Sequence, residues 1–475
     1  MIKKQFFRIA ALSLFFTIIP VHGLFSAGFK NVDVNKIDSD CEYLKKIFSE
    51  AAIDISESID EGLDIDQVIE DIKKEYSKQV KKNKLKMSIN DNGIADNRFA
   101  LSINLALAEN LTKPNGHLSI NSPYDFFCPF YSYVLYASDI VFEKTGSEYK
   151  VYSSGNKNIK QGMLYTGNEE NLFKTIINGK VLYRFCIYSN EWMTKTKISL
   201  NEKEYKVPVT YKTANVNPTE NFSYHTQDDI LFVNANSFMW HTEAEKNKID
   251  EATKNIGQII QDGNINLIVF DLRRNGGGYI SCSYYLLGAL ICGAADENTE
   301  EFNEYAKYYN YLHSNEICIN TFTSRNRLSI QGHGDGNLTR LLLTKTGEKY
   351  PVTDNPDFEY SQTVSPVYKG KIFFITDLYS ASSAEDLILG AKATFKDDVI
   401  IIGENTRGAL DYSNVYQFNL PDSKLAILLS FSDNTKSPLL KESSIWHGDA
   451  KGCIPDYWFT AKDTFDIYKI IEVLQ

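Results

Sequence analysis

Two turns in this chain follow apolar strands and carry residues that could bind an oxyanion and supply a nucleophile. The segment INLIVFDLRRNGGG (265–278) ends in three glycines, and KIFFITDLYSASSAE (371–385) ends in a serine-rich turn. Where a buried strand stops and a helix begins, several backbone N–H groups have no intrahelical partner and favour an anion. The second turn therefore offers both oxyanion donors and a hydroxyl nucleophile, for which Ser382 is the candidate.

Either turn alone has an ordinary structural interpretation, since a serine before a helix is commonly an N-cap and glycines after a strand commonly make a turn. Together, in this order and about 100 residues apart, they resemble the two motifs of the C-terminal-processing (tail-specific) serine peptidases. The resemblance implies that Ser382 is the nucleophile and that backbone N–H groups of Gly277, with Gly276 as its neighbour, and of Ser383 form the oxyanion hole. Ser380 and Ser383 are competing nucleophiles; Ser382 is favoured because it follows an alanine, as in the family motif.

A serine hydroxyl needs a base to remove its proton. In the better-known members of this family that base is a lysine in a later turn, but the matching turn here, GENTRGA (403–409), has Ala409 at that position. Arg407 cannot replace the lysine because a guanidinium remains protonated. A second, tricorn-like branch uses a histidine from the N-terminal region, and NGHLS (115–119) resembles its motif. The resemblance therefore implies that His117 is the general base.

The same resemblance implies an acid near the C-terminus that orients the histidine. Asp449, in DAKGCIPD (449–456), falls at the family position, and Glu442 is a nearby alternative. Such a carboxylate would fix the imidazole tautomer and stabilise the imidazolium. Because the histidine must be neutral to act as a base, activity is expected to rise through a pKa of about 6–7, near the unperturbed value.

Two rival functions come from other classes of protein. The absence of the lysine favours a catalytically inactive peptide-binding protein on the same fold, and an acyl-CoA enzyme of the related crotonase fold is disfavoured by the predicted export. The expected partner is a protein or peptide substrate, with no metal or organic cofactor. Seven cysteines are scattered without C-x-x-C spacing, so neither a zinc ribbon nor a redox dithiol is indicated, and both free thiols and disulfides remain open.

The first 23 residues have the pattern of a signal peptide. Lys3, Lys4 and Arg8 precede an apolar run over residues 9–21, and Val21-x-Gly23 suits signal peptidase; a retained membrane anchor is the alternative. We therefore expect an exported, periplasmic or extracellular protein without a membrane span after cleavage. The net charge of −11, or −14 once three basic residues are removed (−11 minus 3), argues against nucleic acid as a partner. The sequence does not indicate the oligomeric state.

The chain of 475 residues is long enough for two or three domains. Helical apolar spacing predicts an N-terminal helical region over 24–118, and short alternating segments predict a β-rich, PDZ-like module over 119–214. Alternating strands and helices over 215–475 predict an α/β core, which the family resemblance identifies as a crotonase/Clp-like superhelical core. An insertion at about 293–367 is either a substrate lid or an ordinary structural insertion.

Overall fold

The computed structural model describes residues 37–82, 91–122, 125–211, 221–321, 345–352, 365–459 and 465–475. The predicted signal peptide, the predicted boundary near residue 214 and much of the predicted insertion lie outside these residues. The boundaries of the predicted domains thus stay predictions.

The helices lie before, between and after the strands of the core. They are α1 (Asp38–Glu50), α2 (Ile53–Asp60), α3 (Ile65–Lys82), α4 (Asp91–Asn110), α5 (Glu243–Gln261), α6 (Ile280–Cys292), α7 (Glu300–Leu312), α8 (Ser383–Phe395), α9 (Pro438–Lys441) and α10 (Ile467–Leu474).

The strands up to the start of the core are β1 (Ser119–Asn121), β2 (Phe126–Phe127), β3 (Val134–Thr145), β4 (Glu148–Ser153), β5 (Leu172–Ile177), β6 (Lys180–Ser189), β7 (Lys195–Leu200), β8 (Lys203–Pro208) and β9 (Phe222–Gln227). Those of the core are β10 (Ile230–Ala235), β11 (Leu267–Asp271), β12 (Ile317–Ile319), β13 (Lys349–Pro351), β14 (Lys371–Thr376), β15 (Val399–Gly403), β16 (Tyr412–Asn419), β17 (Ala426–Asp433) and β18 (Tyr457–Trp458).

The central sheet has the strand order β18-β15-β14-β11-β10-β9, and all neighbours except β9 and β10 are parallel. Parallel neighbours need crossover connections, which α5 and α8 supply. The strands β11 and β14 are apolar runs whose side chains are nearly all buried, as expected for a sheet covered on both faces. The α/β core predicted from the sequence is confirmed. Because β11 and β14 are parallel neighbours, their carboxyl ends lie side by side, and so do the turns that follow them.

A second sheet joins distant parts of the chain. Its order is β13-β12-β17-β1-β2, with β16 also paired to β17, and Ser119 of β1 is opposite Leu428 of β17. The sequence pattern had placed β1 and β2 in the β-rich module, but Leu118 and Ile120 are buried with Ile427 and the apolar faces of the N-terminal helices. The segment directly after His117 is therefore held by a strand from the C-terminal half.

The β-rich module consists of the sheet β4-β3-β6-β5 and the hairpin β7-β8. It has its own apolar cluster, which includes Phe142, Phe185 and Leu200. The edge strand β5 contacts β18 of the central sheet, and Phe173 and Trp458 pack edge to face with ring centroids 5.2 Å apart. The module is thus packed against the core sheet.

Within the described residues, no helix has the length and apolarity to cross a membrane. All seven cysteines belong to the part of the chain that the structure describes, and each is a free thiol. Six of them are buried and Cys128 is partly exposed.

Candidate active site

Ser382 lies at the turn between β14 and α8, in a conformation that non-glycine residues rarely adopt. Its φ is 56° and its ψ is −123°, and such strained residues cluster at active sites. Ser380 and Ser383 are 0% and 2% exposed, whereas Ser382 is partly exposed. The Ser380 hydroxyl donates to the Leu272 carbonyl at 2.8 Å, which gives it a structural role. Of the three serines in this turn, Ser382 is the one with access to a substrate.

Glu385 connects the Ser382 turn to the turn that follows β15. Its fully buried carboxylate accepts hydrogen bonds from the N–H of Ser382 at 2.8 Å, the hydroxyl of Thr406 at 2.5 Å, and the N–H groups of Gly408 at 2.7 Å and Ala409 at 3.0 Å. Burial raises the pKa of Glu385, and the four donors oppose that rise. Because every partner donates, the arrangement requires the ionised carboxylate. Glu385 belongs to the serine-rich motif, but the motif alone does not indicate this bridging role.

Replacing Glu385 by glutamine should destabilise the protein. The side-chain amide keeps the shape, but its NH₂ group faces at least one N–H donor, which leaves a buried donor unsatisfied. We expect the free energy of unfolding to fall by about 2–3 kcal/mol, measured by urea denaturation. The exposed Glu442→Gln is the matched control and should change it by less than about 0.5 kcal/mol. Equal effects of the two changes would contradict the role given to Glu385.

The glycine turn after β11 lies directly against Ser382. A Cβ added to Gly277 would lie 2.7 Å from the Ser382 Cβ and 3.1 Å from the Ser383 nitrogen, and the φ of Gly277 is 86°. The Ala381 N–H also donates to the Asn275 carbonyl at 2.9 Å. The structure thus brings together the two turns that the sequence assigned to one site, and only glycine fits at position 277.

The two expected oxyanion donors differ in their surroundings. Ser383 is the first residue of α8, so its N–H is among those that no carbonyl of the helix accepts. The Gly277 N–H donates to the Asn275 side-chain oxygen at 2.9 Å. An oxyanion would therefore share or replace that bond at Gly277. Gly276, its neighbour, is exposed.

His117 lies between the end of α4 and the start of β1. The buried Asn115 shapes this turn, because its side-chain oxygen accepts hydrogen bonds from the N–H groups of His117 at 2.9 Å and Leu118 at 3.2 Å. The imidazole Nδ1 lies 2.7 Å from the Tyr412 carbonyl oxygen. A carbonyl can only accept, so Nδ1 carries the proton and Nε2 presents its lone pair. This is the tautomer that a general base needs.

Burial and the nearby Arg407 cation lower the pKa of His117 to about 4, while the bond to Tyr412 opposes that shift. A positive charge close to the ring disfavours a second positive charge on it. Burial first, and the Arg407 cation second, place this pKa below the value of about 6–7 expected from the sequence, which is that of an unperturbed histidine.

Ala409, at the position of the family lysine, is 1% exposed and in contact with the histidine turn. A Cβ added to Gly116 would lie 2.8 Å from the Ala409 Cβ and 2.2 Å from the Gly408 carbonyl oxygen. The turn that carries His117 thus fills the space next to position 409. The segment 406–412 contacts the Ser382 turn through Glu385 on one side and the His117 turn on the other.

Asp449 is 2% exposed and accepts hydrogen bonds from backbone N–H groups. The donors are Gly116 at 2.8 Å, Leu410 at 2.7 Å and Asp411 at 2.8 Å. This differs from the expectation that Asp449 orients the ring directly, because the described partner of the ring Nδ1 is a backbone carbonyl. Burial and the neighbouring Asp411 raise the pKa of Asp449. Asp449 holds the histidine turn through its backbone.

Glu442, the alternative acid, lies on the surface after α9, where it accepts a hydrogen bond from the Tyr311 hydroxyl at 3.4 Å. The sequence could not indicate that the Tyr412 carbonyl accepts the hydrogen bond of the His117 ring, since any residue can present a carbonyl. Among the described residues, no group of three or more His, Cys, Asp and Glu side chains is arranged to hold a metal ion.

A family model described as peptidase family S41 matches residues 229–457, which include Gly277, Ser382 and Asp449. No curated protein matches in a sequence comparison.

Several solved structures are similar at low identity. A lipoprotein from Streptococcus agalactiae is 16% identical, with 51% of this chain and 66% of that chain covered and a TM-score of 0.28. Mature CPAF complexed with lactacystin is 12% identical, with 90% and 94% covered and a TM-score of 0.38. The photosystem II D1 C-terminal processing protease is 10% identical, with 92% and 96% covered and a TM-score of 0.35.

The family match covers both turns on which the predicted resemblance rests, and it confirms the prediction of a serine-type peptidase of the C-terminal-processing kind. Residues 229–457, just under half of the chain, match the model of peptidase family S41, and this match supports a serine-type peptidase.

Proposed function

We propose that this protein is an exported serine endopeptidase in which Ser382 is the nucleophile and His117 the general base. The observation that carries the proposal is the hydrogen bond between the His117 Nδ1 and the Tyr412 carbonyl, since it leaves Nε2 as a proton acceptor. The partly exposed, strained Ser382 and the segment 406–412, which contacts both turns, support it further.

In the proposed mechanism, the Ser382 Oγ attacks the peptide carbonyl while the His117 Nε2 takes its proton. The developing oxyanion binds the Ser383 N–H and the Gly277 N–H, where loss of one donor typically costs about 2.7–4 kcal/mol of transition-state stabilisation. The imidazolium then protonates the leaving amine, and a water molecule activated by Nε2 hydrolyses the acyl-enzyme. The Tyr412 carbonyl keeps its bond to Nδ1 throughout, and Asp449 keeps the turn in place.

The experiment that tests this proposal uses the chain without residues 1–23. The purified protein is incubated with a fluorophosphonate probe and, separately, with an unfolded protein substrate. We expect covalent labelling at Ser382, found by mass spectrometry of the peptide, and cleavage at internal peptide bonds. Absence of both would favour the catalytically inactive peptide-binding protein instead.

The acid limb of the pH profile should respond to Arg407. Arg407→Gln removes a positive charge beside His117, so the apparent pKa of kcat/KM should move up from about 4 by roughly 1 unit. The backbone bonds of residue 407 to Ser380 and Ser132 do not depend on the side chain. Kinetics between about pH 3 and pH 7 measure the shift, and Arg407→Lys, which keeps the charge, should leave the acid limb where it is. If the acid limbs of the wild type and of Arg407→Gln were identical, Arg407 would not be a cause of the lowered pKa of His117.

The export part of the proposal rests on the charged and apolar pattern of residues 1–23. In a cell that exports the protein, N-terminal sequencing of the mature chain should begin near Leu24. Recovery of the full-length chain from cytosol or membrane would contradict export without bearing on the catalytic residues.

A further inference from the structure

A buried carboxylate one turn into α8 joins three helices. Asp386 is 1% exposed, and its Oδ2 accepts hydrogen bonds from the Ser283 hydroxyl on α6 and, at 2.8 Å, from the Tyr309 hydroxyl on α7. Its Oδ1 lies 2.6 Å from the Nε2 of His313, the C-cap residue that follows α7. None of these four side chains takes part in the mechanism above.

The arrangement around His313 requires the doubly protonated ring. Its Nδ1 lies 2.9 Å from the Tyr309 carbonyl and its Nε2 faces the Asp386 carboxylate, so both nitrogens face acceptors. A cation at the end of a helix also interacts favourably with the helix dipole. Burial lowers the pKa of His313, but the charge of Asp386 and the hydrogen bonds of Asp386 and Tyr309 outweigh it, so the pKa is raised.

Two of the three helices joined by Asp386, α6 and α8, start at the catalytic turns. Helix α6 starts at Ile280, two residues after Gly278, and α8 starts at Ser383, directly after the nucleophile. The two helices are in close contact, since a Cβ added to Gly390 would lie 2.6 Å from a methyl carbon of Leu287. The relative position of α6 and α8 therefore sets the distance between the Gly277 turn and Ser382.

We propose that the His313 imidazolium is a positioning residue of the peptidase reaction: through Asp386 it holds α8 against α6, and loss of its proton lowers kcat. This rests on the proposed function of Ser382. A histidine with a raised pKa in the folded protein contributes stability that is complete below its unfolded pKa, about 6.5, and is lost as the pH rises through the folded value. The reaction should therefore have an alkaline limit that His117 does not set.

The charged and titratable groups around His313 come from each element packed there. They are Asp386 on α8, Tyr309 on α7, and Glu316 after α7, whose charge also raises the pKa of His313. Helix α6 contributes the uncharged Ser283. Helix α9, which contacts α7 and α8, has Lys441 at its end and Glu442 after it, both exposed.

The test is the pH dependence of kcat and KM from pH 5 to pH 10 for the wild type and two variants. In His313→Gln the uncharged amide should lower kcat at neutral pH by about 10- to 100-fold with little change in KM, and the alkaline limb should disappear. In His313→Lys a cation remains, so kcat should be largely restored and the limb should move towards about pH 10. The exposed His241→Gln is the matched control and should match the wild type.

The two proposals fail in different ways. A wild type that neither reacts with fluorophosphonate nor cleaves substrate overturns the peptidase function. A wild type that is active but shows no alkaline limb, or a His313→Lys enzyme whose limb stays where it was, overturns the role of His313 alone. If His313→Gln does not fold, the wild-type and His313→Lys profiles still decide between these outcomes.

Discussion

Ser382→Ala should abolish peptide hydrolysis and fluorophosphonate labelling while the protein remains folded. Removing the nucleophile of a catalytic unit takes away nearly all of its contribution, and we expect a loss in kcat/KM of at least about 10⁴-fold. The fold should persist because an N-cap substitution costs only about 1 kcal/mol. The bond between the backbone N–H of residue 382 and Glu385 does not need the hydroxyl. Initial rates on a peptide substrate, together with urea unfolding, measure both effects.

Ser383→Ala is the matched control because it removes a neighbouring hydroxyl and keeps the backbone N–H that the oxyanion needs. The Ser383 hydroxyl is buried and has no hydrogen-bond partner among the described residues, so its loss should leave most of the activity. A Ser382→Ala protein with wild-type turnover, or loss of labelling in Ser383→Ala alone, would show that another residue is the nucleophile.

Much of the core could be predicted because its elements follow local rules. Apolar runs such as residues 372–375, bounded by turn residues, indicate buried parallel strands. The alternation of strands and helices predicted over 215–475 includes α5, observed as Glu243–Gln261 with a capping box at Thr242 and Glu245. The prediction that the two catalytic turns form one site was based on their resemblance to the motifs of a known family. The contact between Gly277 and Ser382 gives that prediction a physical basis.

The pairing of β1 with β17 could not be predicted in the same way. It joins Ser119 to Leu428, and a three-residue strand carries too little periodicity to indicate which sheet it belongs to. Burial of the flanking Leu118 with the N-terminal helices decides its position. The pairing of β1 with β17 matters for function, because it holds Ser119, two residues after His117, in place.

The sequence could predict the part of the candidate site that depends on the types of the side chains. Ser382 and His117 were found through motifs, whereas the contacts that orient His117 run through backbone atoms: the Tyr412 carbonyl at the ring and the Gly116 N–H at Asp449. Backbone groups have no residue-type signature. The Asp386–His313 pair was missed for a different reason, since the two residues are 73 positions apart and belong to no motif.

His117→Ala should reduce kcat/KM to about the same extent as Ser382→Ala. Without Nε2 nothing removes the proton from the Ser382 hydroxyl, and the residues of one catalytic unit are not additive, so the double variant should be scarcely worse than either single variant. The fold should lose only about 1 kcal/mol, the usual contribution of one hydrogen bond such as that between Nδ1 and Tyr412. Single-turnover labelling rates with a fluorophosphonate allow the comparison when steady-state rates are too low.

The competing base is a displaced lysine, for which Lys436 and Lys451 are two candidates. A lysine base would make activity climb only above about pH 8, because an unperturbed ammonium loses its proton near pH 10.4. A histidine with a pKa lowered to about 4 gives an enzyme that is fully active at pH 6. Lys436→Met and Lys451→Met should therefore leave the acid limb unchanged, whereas a His117→Ala enzyme with near-normal rates would show that the proton goes elsewhere. Because the turn over residues 403–409 contains no lysine, a lysine that reaches Ser382 would have to come from another segment of the chain.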